Sequence, residues 1–227
     1  MQKRIFIIVS CAVLLIALIV GAVFLIKTRN LTPESKEIDV SGTWRVYEKG
    51  LDNPGESYFV FADGTVRNFR DHSATASFES AYSIVGSIIT IDKLGQDFSI
   101  ERKTDGVLLL YNKEKEYLIV KTADNSHLST ESYSRSDFYG KYRVNLHANN
   151  VFGEEVITFD GDKFICVRNG QEFLNTTFSV NDGRLSLVTA NGTMDLQICY
   201  NDVDTIRLVE KNSAGEYLAW ELVLIEE

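Results

Sequence analysis

The chain has 227 residues, is 44% hydrophobic and 11% aromatic, and sets 23 Lys and Arg against 32 Asp and Glu, for a formal net charge of −9. All the acidic residues lie beyond Arg29, while Lys3, Arg4, Lys27 and Arg29 lie before that point, so the bulk of the chain is more acidic than the whole. A surface of that sign repels polyanions, which excludes nucleic acid as a partner and disfavours anionic head groups.

Ile5 to Ile26 are 22 consecutive residues without a charge. At about 1.5 Å per residue such a helix matches the hydrocarbon core of a bilayer. The run exceeds the apolar region of a cleavable signal, and Lys27-Thr28-Arg29 follows it in place of small residues. Residues 1–29 are therefore read as a cytoplasmic tail and a single transmembrane helix, with the lipid bilayer as partner of residues 5–26. The short, purely basic tail keeps the N-terminus in the cytoplasm and puts the rest outside. Cys11 is read as a small side chain within that helix, not as a lipid-attachment site. Residues 30–37 form a polar linker.

From residue 38 onward the sequence reads as one unit written twice. Gly42-Thr43-Trp44 overlies Gly140-Lys141-Tyr142, and Phe59-Val60-Phe61 then falls on Ile157-Thr158-Phe159 without a gap. The Asp63-Gly64 turn falls beside Gly161-Asp162, Tyr82 on Phe178, and Ile89 and Ile91 on Leu185 and Leu187. Near the ends, Glu116-Tyr117-Leu118 repeats as Glu216-Tyr217-Leu218. The copies span residues 38–122 and 137–227. Residues 123–136, polar and without apolar period, read as a linker.

The period within each copy is two. Met194, Leu196, Ile198 and Tyr200 alternate with polar neighbours, and Leu218, Trp220, Leu222 and Leu224 do the same. Asp63-Gly64, Asp105-Gly106, Asp182-Gly183 and Asn191-Gly192 supply the positive φ angles of tight hairpins. The fold class is all-β: about eight short strands per copy in an antiparallel meander, which abolishes its edges by closing into a barrel.

Gly42-Thr43-Trp44 on the first strand, followed by hairpin-linked strands, resembles the Gly-x-Trp opening of lipocalins and their calycin relatives. It is most similar to the small lipocalin-like domains of bacterial surface proteins. The resemblance implies structural roles for Gly42 and Trp44, and for Gly140 and Tyr142 in the second copy. It also implies that Trp44 plugs the closed end of its barrel beneath a basic residue of the last strand, for which Lys121 is available. The second copy has Tyr142 in place of the tryptophan and no clear basic equivalent. Lipocalins carry apolar small molecules inside the barrel. The short strands and the large inward residues Trp44, Phe59, Phe61, Phe78, Tyr82 and Phe98 favour a filled core, with a ligand-holding cup as the alternative.

Chemistry-bearing motifs are sparse. His72, His127 and His147 are expected in solvated loops, and no nucleophile elbow, His-Glu-x-x-His pattern or phosphate-cradling loop occurs. Asp71-His72-Ser73 aims adjacent side chains apart. Asp160-Gly161-Asp162 and Asn201-Asp202-Val203-Asp204 read as turns and not as calcium loops. Cys166 and Cys199 share the second copy. One alternative is a stabilising disulfide between them; the other is two free thiols, with Cys199 pointing away from the core. Three glycosylation acceptor patterns begin at Asn30, Asn175 and Asn191; they matter only in a eukaryote, and the anchor's style points to a bacterium. No catalytic residue, cofactor or metal is expected, so the chain is not read as an enzyme. The expected role is non-catalytic binding of a protein or cell-envelope partner through the barrel rims, with a lipocalin-type receptor for a small apolar ligand or lipid as the alternative.

Overall fold

A computed structural model describes residues 38–51, 57–128, 132–150, 153–202 and 204–226. The transmembrane helix expected over residues 5–26 and the linker 30–37 lie outside the described residues. Among the described residues no helix is long and apolar enough to cross a membrane.

Period-two alternation becomes two closed antiparallel barrels of eight strands each. The first contains β1 (Gly42–Glu48), β2 (Ser57–Ala62), β3 (Thr65–Arg70), β4 (Phe78–Val85), β5 (Ile88–Ile91), β6 (Gln96–Thr104), β7 (Val107–Tyr111) and β8 (Glu116–Lys121). The second contains β9 (Gly140–Leu146), β10 (Glu155–Asp160), β11 (Lys163–Arg168), β12 (Gln171–Asn181), β13 (Arg184–Thr189), β14 (Gly192–Asn201), β15 (Thr205–Lys211) and β16 (Tyr217–Glu226). Each strand pairs with its neighbour in sequence, and β1–β8 and β9–β16 pairings close the two meanders. Tight turns follow the sequence: Asp63 and Gly64 have φ of 50° and 72°, a region that glycine and aspartate tolerate better than branched residues.

The repeat holds its register through the first three strands. Trp44 pairs with Phe59 and Ser57 with Arg70 in barrel 1; Tyr142 pairs with Ile157 and Glu155 with Arg168 in barrel 2. The last strand departs from it. Trp44 faces Lys121 on β8, whereas Tyr142 faces Leu224 on β16, between two register shifts. The matched triplets Glu116-Tyr117-Leu118 and Glu216-Tyr217-Leu218 are therefore out of structural step by three residues. Tyr117 points into the core of its barrel, while Tyr217 points out of its own. Trp220 holds the place in barrel 2 that Tyr117 holds in barrel 1.

The two cores are separate, and a third apolar cluster joins the barrels side by side. Tyr47, Val107, Leu118 and Val120 on the outer wall of barrel 1 meet Leu146, Cys199, Val209, Tyr217 and Ala219 of barrel 2. This contact explains why Tyr117-Leu118-Ile119-Val120 is apolar on both faces: odd residues fill the barrel and even ones the seam, as in a doubly buried strand. Polar groups tie the same face. The Tyr47 hydroxyl lies 3.0 Å from Gln197 Oε1 and 2.8 Å from Cys199 Sγ. Glu221 Oε2 accepts from Arg207 Nε at 2.7 Å and from Thr104 Oγ1 at 3.0 Å. A Cβ on Gly106 would collide with the Arg207 guanidinium, which Glu221 and the Lys121 carbonyl hold in place.

Both described thiols are free, so the structure takes the second of the two cysteine alternatives. Cys166 points into barrel 2 beside Phe164, and Cys199 sits at a bulge between Ile198 and Tyr200 and points out into the seam. Side chains on opposite faces of one wall cannot bridge.

Candidate functional site

Barrel 1 is closed at one end, and at the other the described residues leave a cavity. At the closed end Trp44 is 0% exposed and its Nε1 donates to the Val40 carbonyl at 2.7 Å. Lys121 Nζ lies 5.6 Å from the centre of the Trp44 ring, the contact that the resemblance implies. Gly42, with φ 106°, lets that lysine pass, since a Cβ there would meet Lys121 Cε at 3.1 Å. The counterpart in barrel 2 pairs Tyr142 with Leu224, and Phe138 at 0% exposure fills the space beside Tyr142 and Phe159.

At the other end the filled-core expectation fails. A cavity of about 620 Å³ opens between the start of β2, the end of β3 and the start of β8. Its floor is apolar: Val46, Phe59, Phe78, Leu94 and Tyr117. Its upper wall is polar: Glu48, Ser57, Asn68 and Arg70. The large aromatics fill only part of the barrel, because the inward residues change along its axis from Trp44, Phe59 and Phe61 to Ser57, Asn68 and Arg70. Phe59 and Phe61 put Ser57 on the inner face of β2, and Val66 puts Asn68 and Arg70 on that of β3, so the polar wall could have been read from the alternation.

The charges of this mouth are unevenly satisfied. Lys115 Nζ is 2.9 Å from Glu48 Oε1, and its proximity to the Tyr117 hydroxyl and to Glu48 holds the ammonium above its ordinary range. Asn68 Nδ2 donates to Ser57 Oγ at 2.6 Å. The Arg70 guanidinium has no hydrogen-bond or ion-pair partner among the described residues.

The same place in barrel 2 is occupied by the protein itself. Glu155, at the position of Ser57, is 0% exposed. Its Oε1 lies 2.8 Å from His147 Nδ1, 3.0 Å from Cys166 Sγ and 3.3 Å from an Arg168 amino nitrogen. Burial alone would raise this carboxyl, but the hydrogen bonds from Cys166 and His147 and the charge of Arg168 hold it below its usual range. The His147 ring lies against Trp220, centroids 3.8 Å apart. Burial, outweighing Glu155, lowers the His147 pKa. Burial, with Glu155 adding to it, pushes the Cys166 thiol up to about 12.

Two histidines thus depart from the loop expectation. His147 belongs to this cluster. His127 is buried on the outer wall of barrel 1, its ring stacked on Phe69 at 4.2 Å, so this part of the linker is a packed strap. His72 stands in a turn with its side chain 58% exposed. Asp160-Gly161-Asp162 forms the β10–β11 turn, and Asp202 and Thr205 close the next-to-last hairpin with paired backbone bonds. Among the described residues no group of three His, Cys, Asp or Glu is placed to hold a metal ion. A second, polar cleft of about 230 Å³ between the barrels includes Arg45, Asp71, Asp182 and Arg184, and Arg45 is paired with Asp71 at 3.8 Å.

The buried acids predict an alkaline limit. Tyr58, like Cys166, is pushed up to about 12, chiefly by burial. Groups whose pKa is raised in the folded state stabilise it fully below the unfolded-state value and lose that contribution as pH rises through the folded value. Thermal unfolding midpoints should therefore fall between about pH 9 and pH 12, and Cys166→Ala should flatten that fall.

No protein-family model matches the chain, and no curated protein matches it in sequence. Among solved structures it is similar to a protein of unknown function from the DUF3598 family of Nostoc punctiforme. The identity is 10%, the TM-score 0.30, and the match covers 83% of this chain and 96% of that one. A superposition at that level carries no argument, and the two barrels stand on their own strand pairing.

Proposed function

We propose that this chain is a membrane-anchored, extracytoplasmic, non-catalytic binding protein of lipocalin type, whose first barrel takes one small amphipathic molecule through its open end. The cavity of about 620 Å³ carries the reading. Its size lies within the range of sites for small organic ligands, and it combines an apolar floor with a few convergent polar groups. The closed end, with Trp44 beneath Lys121, supports the lipocalin likeness. The anchor rests on the uncharged run Ile5 to Ile26 and its basic flanks. In barrel 2 the equivalent mouth is filled by Glu155, His147 and Trp220, so one ligand per chain is expected.

The test is a titration of the full-length protein in nanodiscs with N-phenyl-1-naphthylamine, a neutral fluorescent amphiphile. Ser57→Phe, which fills the mouth, serves as the control. Both proteins carry the same N-terminal segment, so dye partitioning into it cancels. Wild type should show one saturable site per chain that Ser57→Phe weakens at least tenfold while its melting temperature stays close to wild type. Equal titration curves would overturn the proposal.

A further inference from the structure

Within that reading, on which this inference rests, we infer that the ligand of the first barrel is a monocarboxylate amphiphile whose head group is bound by Arg70. The second barrel displays the arrangement. Strands β2 and β3 of one copy and β10 and β11 of the other keep the same pairing, Ser57 opposite Arg70 and Glu155 opposite Arg168. In barrel 2 the inward carboxylate of Glu155 meets the Arg168 guanidinium at 3.3 Å. In barrel 1 the arginine is kept, but the carboxylate opposite it is replaced by the short hydroxyl of Ser57, and a cavity stands where the acid would be. One copy carries as a side chain the anion that the other takes from outside.

The surroundings agree. Among the described residues Glu48 is the one acidic side chain lining this mouth, and Lys115 pairs with it at 2.9 Å, so it does not compete for Arg70. Arg70 has no partner among the described residues, and a guanidinium matches a carboxylate with two parallel hydrogen bonds. Beneath it Asn68 and Ser57 give way to Phe59, Phe78 and Tyr117, an order of polar head and apolar tail. A neutral amphiphile would gain nothing from the exposed Arg70 guanidinium, and a cationic one would be repelled by it.

Competition against bound N-phenyl-1-naphthylamine decides the matter, with full-length protein in nanodiscs at pH 8 and competitors below their micellar concentrations. Dodecanoate should displace the dye at least tenfold more effectively than 1-dodecanol, and dodecyltrimethylammonium should be weakest. Arg70→Gln should abolish the preference for dodecanoate over the alcohol, with both competitors referred to the dye affinity measured for that variant. Ser57→Glu, which installs the acid of the other copy, should reduce dodecanoate competition at least tenfold and more than it reduces that of dodecanol. If the dye binds in a manner sensitive to Ser57→Phe, yet acid and alcohol compete equally or Arg70→Gln affects them alike, the carboxylate assignment falls and the cup remains. If the dye shows no such site, the cup itself falls.

Discussion

Trp44→Ala should lower the unfolding free energy by about 3–5 kcal/mol, the range for truncating a fully buried large aromatic. The side chain is 0% exposed, so its removal leaves a void beneath Lys121 at the closed end. It also leaves the Val40 carbonyl without the indole N–H that now reaches it at 2.7 Å. Trp44→Phe retains most of the bulk and should cost less, about 1–3 kcal/mol, mainly for that unpaired carbonyl. The measurement is denaturant unfolding followed by circular dichroism, with the midpoint falling and the slope unchanged. Because a buried apolar cluster joins the barrels, both should unfold in one transition, and a variant that splits the curve in two would contradict the seam.

Arg168→Met should destabilise by a similar amount, about 3–5 kcal/mol, for an electrostatic reason. Glu155 is 0% exposed and keeps its charge through Cys166, His147 and Arg168. Removing the guanidinium strands a buried anion. Glu155→Leu should cost less, because the Arg168 side chain is 26% exposed and can turn its charge to water. The double variant Glu155→Leu/Arg168→Met should recover most of the loss, since paired replacement of a buried ion pair by apolar residues is often neutral. The pH dependence separates this account from simple loss of packing. In wild type the Glu155 pKa is depressed, so its contribution is present above the unfolded value of about 4.3 and is lost as pH falls through the folded value. Without Arg168 burial prevails and the carboxyl titrates higher, so the destabilisation should shrink on acidification. A pH-independent loss would disprove it.

Strand period, turn chemistry and duplication were legible in the sequence because each is local. Phe59-Val60-Phe61, Asp63-Gly64 and Gly42-Thr43-Trp44 needed no partner to be read, and Lys121 was reached through the resemblance. What escaped depends on partners distant in sequence. His147 looked like a loop residue because Glu155 and Trp220 meet it only when β9, β10 and β16 close the ring. His127 lay in a polar stretch, and only the outer face of β3 brings Phe69 against it. The shift on the last strand was hidden by the exact repetition of Glu-Tyr-Leu. The seam left a trace in the unbroken run Tyr117 to Val120, since a strand facing water on one side would have alternated. The cup left its trace in three polar residues, Ser57, Asn68 and Arg70, at positions whose neighbours demand apolar ones.

The wall shared by the barrels also limits how such a chain can change over generations. Were the second copy deleted, Val107, Leu118 and Val120 would stand in water as a row of branched side chains, the kind of surface on which β-proteins aggregate. The first copy thus depends on the second to cover that flank. The second copy is thereby held by its exterior, free to exchange inward residues as long as its outer flank still matches its twin.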